Sequence, residues 1–190
     1  MKNLLVAAVL LIMIACNQQQ RNENSGEPLS SEDSLQQKRE ADSAKLSIED
    51  QNFVKAIALS GMVEIATGKL AKEMSKDTAI QNFGSLLVTH HQQLAKDLKD
   101  VVAQRDIHFP EKLDDIHQQK IDSLKAVSSS DFDRTFLQMM INDHNTALAL
   151  FDQTGAHGKD VQLQAFANKN IPIIRNHLRI ANGLINKRGQ

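Results

Sequence analysis

Between residues 47 and 190, apolar residues recur at the three- and four-residue spacing of helices, and no stretch alternates at period two for long enough to make a strand. Capping and breaking residues divide the pattern. Ser47 precedes a run from Ile48 to about Ser75, and Asp77 precedes a second run reaching about Asp106. Pro110 opens a shorter run that ends near Val127. "SSSD" at 128–131 precedes a run to His157, which Gly158 ends, and Asp160 precedes a last run to about Lys187. Pro172 lies inside that last run. It cannot donate to the carbonyl of Asn168, which predicts a kink. The pattern predicts an all-α domain of four long helices with a short helix between the second and third.

The connection between the second and third long helices fixes the expected topology. At about 23 residues it is far longer than a turn between antiparallel neighbours. With about 17 residues helical at 1.5 Å each and extended ends, it spans roughly 40 Å, the length of a helix of about 28 residues. The segment is long enough to return along the bundle, leaving the second and third long helices parallel. That is a ferritin-like four-helix bundle with a short helix in the long crossover. The alternative is a plain up-down bundle with a decorated loop.

Ionisable residues interrupt the apolar stripes. On the second long helix Phe83, Leu87, Leu94, Leu98 and Val101 define the stripe, with His90 and His91 on either side of its centre. On the third, Phe132, Phe136, Met139, Met140, Ala147 and Phe151 define it, and Asp143 and His144 flank its centre in the same way. His177 lies with Phe166, Asn170, Ile174 and Ala181 on the last helix. Glu64 lies with Phe53, Ile57, Ser60, Gly61, Gly68 and Ala71 on the first, where small residues admit close approach of a neighbour. Each polar residue is near the middle of its helix, so all are expected at one level whichever way the helices run.

The start of the chain has a different character. "MKNLLVAAVLLIMIAC" is a lysine followed by an apolar run that is too short to span a bilayer, the pattern of a secretory signal. Met13-Ile14-Ala15-Cys16 resembles the lipobox of bacterial lipoproteins, with Met where Leu is usual. The resemblance implies cleavage after residue 15 and acylation of Cys16, so the lipid bilayer is the expected partner. By the same resemblance, Asn17 rather than Asp after the cysteine favours the outer membrane, facing the periplasm. Cys16 is the only cysteine, which excludes an intrachain disulfide. Residues 16–46 are rich in Gln, Ser, Glu and Asn and read as a tether, and residues 47–190 read as the folded domain. With 22 Lys and Arg against 23 Asp and Glu, and no Trp or Tyr, nucleic acid is not an expected partner.

The candidate chemistry rests on Glu64, His90, His91, Asp143, His144 and His177. Imidazoles and carboxylates are ligands for zinc, iron, manganese or copper, and bundle cores are where facing helices build such sites. A buried polar network in which the same groups satisfy one another is the competing reading, and solvated stripe edges are a third. Ferritin-like di-iron sites need Glu-x-x-His on two helices. Leu87, Val88, Ile141 and Ile174 stand three residues before the four histidines, so that chemistry has no support. No nucleophile triad, phosphate loop or CxxC is present, and an enzyme is not the expectation. His108, His117 and His157 are expected at the surface, and Met139 and Met140 as core filler.

The stretches "FVKAIALSGMVEIATGKLA", "FGSLLVTHHQQL", "FDRTFLQMMINDHNTALALF" and "LQAFANKNIPIIRNHL" resemble the bacterial secreted family known as domain of unknown function 4142. The resemblance covers about residues 50–185, with the "DH" pair and the final P-x-x-x-x-H-L as its most specific parts. It implies an envelope location and a ferritin-like helical bundle, and no reaction. It also implies that Glu64, His91, Asp143, His144 and His177 are recurrent polar positions, whereas His90 stands where Asp is usual. The sequence thus supports an envelope lipoprotein whose helical domain is a structural, interaction or stress-related module. A periplasmic metal-binding protein using the mid-bundle cluster is the alternative.

Overall fold

The computed structural model describes residues 45–188. The signal segment, Cys16 and the tether up to residue 44 lie outside the described residues. Five helices follow in order: α1 (Ile48–Met74), α2 (Thr78–Val102), α3 (Asp115–Lys125), α4 (Phe132–His157) and α5 (Val161–Asn186). No strand occurs among the described residues, so the all-α expectation holds.

Most helices begin where their caps are written. Ser47 Oγ accepts from the Asp50 amide at 3.1 Å, and Asp77 accepts from the Ala79 amide at 2.7 Å. Asp160 accepts from the amides of Gln162 and Leu163 at 2.9 and 3.0 Å. Each such bond satisfies an otherwise orphaned donor and stabilises its helix by about 1 kcal/mol. Asp131 makes no side-chain cap bond, and the Phe132 amide donates instead to the Ser128 carbonyl at 2.9 Å. Two boundaries differ from the sequence expectation. α2 stops at Val102, short of Asp106, and α3 begins at Asp115, leaving Pro110 in the preceding coil. The reason is local. Asp114 caps the His117 amide at 3.0 Å, while Pro110 biases Phe109 toward extended backbone. α5 is helical on both sides of Pro172.

α1 packs against α2, α3 and α4, and α5 packs against α2 and α4. Polar clasps at the two ends fix the directions. Asp50, in the first turn of α1, accepts from the amides of Lys159 and Asp160, just ahead of α5, at 3.1 and 3.0 Å. Arg105, just past α2, pairs with Asp160 at 2.6 Å. At the other end Arg188, past α5, pairs with Asp77 ahead of α2 and with Asp133 in the first turn of α4. α1 and α5 therefore start at the end where α2 and α4 finish. α2 and α4 run the same way, joined by the long segment that carries α3.

The core is divided in two. Phe53, Phe151 and Phe166 anchor one apolar cluster, with ring centroids 5.3 to 6.4 Å apart. Phe83, Phe132 and Phe136 anchor the other. Each long helix passes from one cluster to the other: Ile57 to Ala71, Leu94 to Leu87, Ala147 to Met140, and Ile174 to Ala181. The polar residues singled out in the sequence occupy the level between them.

Gly68 and Gly84 bring α1 and α2 together. A Cβ on Gly84 would lie 2.5 Å from the Gly68 carbonyl oxygen and 2.9 Å from Ala71 Cβ, contacts that a backbone cannot relieve by rotating a side chain. Gly84→Ala is accordingly expected to destabilise the protein by about 1–3 kcal/mol. Gly183→Ala meets open space and is expected to be neutral or stabilising by up to about 1 kcal/mol. Denaturant melts of the two variants check the contrast.

Candidate metal centre

Glu64 from α1, His91 from α2, His144 from α4 and His177 from α5 meet at the level between the two apolar clusters. All four are buried, none more than 3% exposed. Their placement follows from helix arithmetic. His91 stands one turn from both Leu87 and Leu94, and His144 one turn from both Met140 and Ala147, so each imidazole faces inward with those side chains.

One nitrogen from each of His91, His144 and His177 can be chosen so that the three lie within 4.8 Å of one another. The hydrogen bonds fix the tautomers of two rings. His144 Nδ1 is 2.8 Å from the Met140 carbonyl, which only accepts, so Nδ1 carries the proton. His144 Nε2 then accepts from His177 Nδ1 at 3.0 Å, and His177 Nε2 accepts from His90 Nδ1 at 2.7 Å. Glu64 approaches two of the rings, with Oε2 at 3.1 Å from His91 Nε2 and Oε1 at 3.3 Å from His144 Nδ1. Neither approach is angled as a hydrogen bond. Glu64 Oε1 and His91 Nε2 remain buried without a hydrogen-bond partner.

The family model described as "Domain of unknown function (DUF4142)" matches residues 35–184. The chain belongs to this family. No curated protein and no solved structure matches it.

Of the six residues nominated from the sequence, this DUF4142 chain brings four to one point. His90 is half-buried and reaches the cluster through His177, stacking beside it with centroids 5.0 Å apart. Asp143 turns away from the histidines and pairs with Lys120 of α3. Lys120 went unnoticed in the sequence. It stands beside the inward residue Ile121, but nothing in a single short helix indicates which face of the bundle it covers. The other histidines are peripheral: His108 and His157 are exposed, and half-buried His117 bonds to Asp114 at 2.6 Å.

Burial keeps the cluster uncharged. It pushes the Glu64 carboxyl well above the usual carboxylate range, and the Asp143 charge adds to the effect against partial relief from Lys120. It holds His91 well below the ordinary imidazole value, with His144, His177 and His90 adding smaller effects in the same direction. It lowers His144 as well, against the opposing Met140 hydrogen bond and the Asp143 charge. His177 is pushed down to about 3, again by burial first and then by His144 and His90. Neutral imidazoles offer the lone pairs that a transition metal needs.

The same shifts set the stability of the metal-free protein. Three histidines with depressed folded values leave stability intact above about pH 6.5, and it is lost as pH falls from there toward the folded values, about 3 for His177. Glu64 has the opposite sign: its stability is full below about 4.5 and is lost as pH rises through its raised folded value. The melting temperature measured with chelator is therefore expected to fall as pH drops below about 6.5, with Glu64 adding a smaller loss of opposite sign as pH rises above about 4.5. Glu64→Gln is expected to remove that opposing loss and to keep the acid fall.

Proposed function

We propose that this chain is a lipid-anchored envelope protein whose ferritin-like four-helix bundle binds one transition-metal ion through His91, His144 and His177. The observation that carries the reading is the convergence of three buried, neutral imidazoles from three helices within 4.8 Å, beside a carboxyl group with an unpartnered oxygen. The His144 arrangement supports it further. A ligating histidine typically gives its second ring proton to a carbonyl or carboxylate, as Nδ1 of His144 does to Met140. To free His177 Nδ1 for a metal, its proton moves to Nε2 and the bond to His90 reverses direction. His90 can accept such a bond as readily as it donates one. Zinc, iron, manganese and copper all suit this donor set.

The parallel course of α2 and α4 supports the ferritin-like topology. The anchor rests on the sequence from Met1 to Cys16 and on the polar tether behind it, which together favour an outer-membrane protein facing the periplasm. The hydrogen bonds linking His144, His177 and His90 favour a second reading, a metal-free polar network inside a structural or interaction module.

Elemental analysis of protein purified without chelator separates the two. One equivalent of metal is expected, lost in His91→Ala, His144→Ala and His177→Ala and kept in His90→Ala and Asp143→Asn. Added metal at a hundredfold excess over its Kd would stabilise the fold by about 2.7 kcal/mol. Absence of metal, together with a melting curve that no candidate ion moves, would leave the polar network standing alone. For the anchor, radiolabelled palmitate is expected on the expressed protein and not on the Cys16→Ser variant.

A further inference from the structure

One turn from the polar level, toward the Phe151 end of the core, the helices leave a small cavity between them. It has room for the centre of one water-sized sphere, ≈ 10 Å³. Ser60, Glu64 and His91 supply its polar wall, and Leu94, Phe151 and Ile174 most of the apolar remainder. His144 and His177 do not border it. The two residues of the cluster that do border it, Glu64 and His91, are the two whose buried oxygen and nitrogen lack partners. Buried polar atoms are normally satisfied, by ordered water where protein groups are missing. A cavity of about one water's size beside two orphaned polar atoms is a place for a ligand.

We infer that a metal held by the three imidazoles keeps one position open toward this cavity and takes there an exchangeable water-sized or diatomic ligand, with the Glu64 carboxyl as that ligand's hydrogen-bond partner. The inference rests on the metal reading above. Three protein ligands and one exogenous ligand is the arrangement of reactive metal sites, whereas structural sites are closed by four protein ligands. The size of the cavity and its apolar walls select against larger molecules. Its way in is marked as well. Ile57, Ser60 and Ala147 border both the cavity and a surface groove of ≈ 290 Å³ between α1, α3 and α4. The groove is also lined by His117, Lys120 and Asp143, so the ion pair tying α3 to α4 stands at its mouth.

Cobalt(II) reports coordination through its visible absorption, and cyanide is a diatomic ligand. In full-length protein loaded with cobalt, one equivalent of cyanide is expected to change the spectrum, with cobalt content unchanged after desalting. Ala147→Val extends one wall into the cavity from α4, and Ser60→Val alters the opposite wall on half-buried α1 surface. Both are expected to bind cobalt as the parent does and to respond to cyanide roughly tenfold more weakly or less. Should Ala147→Val fail to fold, Ser60→Val carries the same comparison. A cobalt-loaded parent whose spectrum ignores cyanide, or that releases its cobalt to it, overturns the inference and leaves the metal reading in place. An undiminished response in the variants overturns it too, because the ligand then binds elsewhere. Failure to bind cobalt, zinc or any other candidate ion removes the metal reading and this inference with it.

Discussion

The burial of four ionisable side chains at one level, between two apolar clusters, is the constraint on which the rest of the structure depends. Charged groups cannot sit there unpaired, because the cost of leaving water is several kcal/mol per ion. The groups respond by staying neutral: Glu64 holds its proton, and His91, His144 and His177 give theirs up. Neutrality turns a liability into a candidate site. It leaves lone pairs on imidazole nitrogens in a buried interior, where low polarity strengthens whatever those nitrogens hold.

Bringing the four groups to one level demands a fixed register between helices, and the ends of the molecule supply it. Asp50 gathers the turn between α4 and α5, Arg105 ties the end of α2 to Asp160, and Arg188 spans the starts of α2 and α4. These contacts are partly buried and joined into clusters, which matters because isolated exposed pairs contribute little. The Gly68–Gly84 contact sets the spacing between α1 and α2 one turn beyond Glu64 and near the Phe83 cluster. Register and spacing together decide whether Glu64 touches His91 or misses it.

α3 gives the site its cover. It packs on α1 and reaches α4, so the crossover does more than return the chain to the starting end. Lys120 meets Asp143 on the flank of the cluster, and both charges are felt by Glu64 with opposite sign. The partner of Asp143 thus comes from outside the four long helices. That explains why Asp143, adjacent to His144 in sequence, takes no part in the histidine cluster: successive residues on a helix point about 100° apart, and its carboxylate has a cation to meet on that side.

The sequence by itself indicated the long helices, their caps at Ser47, Asp77 and Asp160, the parallel return that the long connection allows, and the six polar residues along the apolar stripes. All of these are local or periodic properties. A cap bonds within a few residues of itself, and a side chain three or four positions from a buried leucine shares its face. The start of α3 escaped because Pro110 and Asp114 both signal a helix start, and it is Asp114 whose side chain caps the first turn. The tertiary structure alone decided which polar residues meet. His90 and His91 are equivalent by stripe position, and so are Asp143 and His144, yet His91 and His144 are drawn fully inward, while His90 stays half-buried at the edge of the cluster and Asp143 meets Lys120. That choice depends on the rotation of each helix about its own axis against three neighbours, a quantity set by packing across the bundle and absent from any single stretch of chain. The cavity beside Glu64 and His91 has the same origin, since it is defined only by the walls that four different helices bring to it.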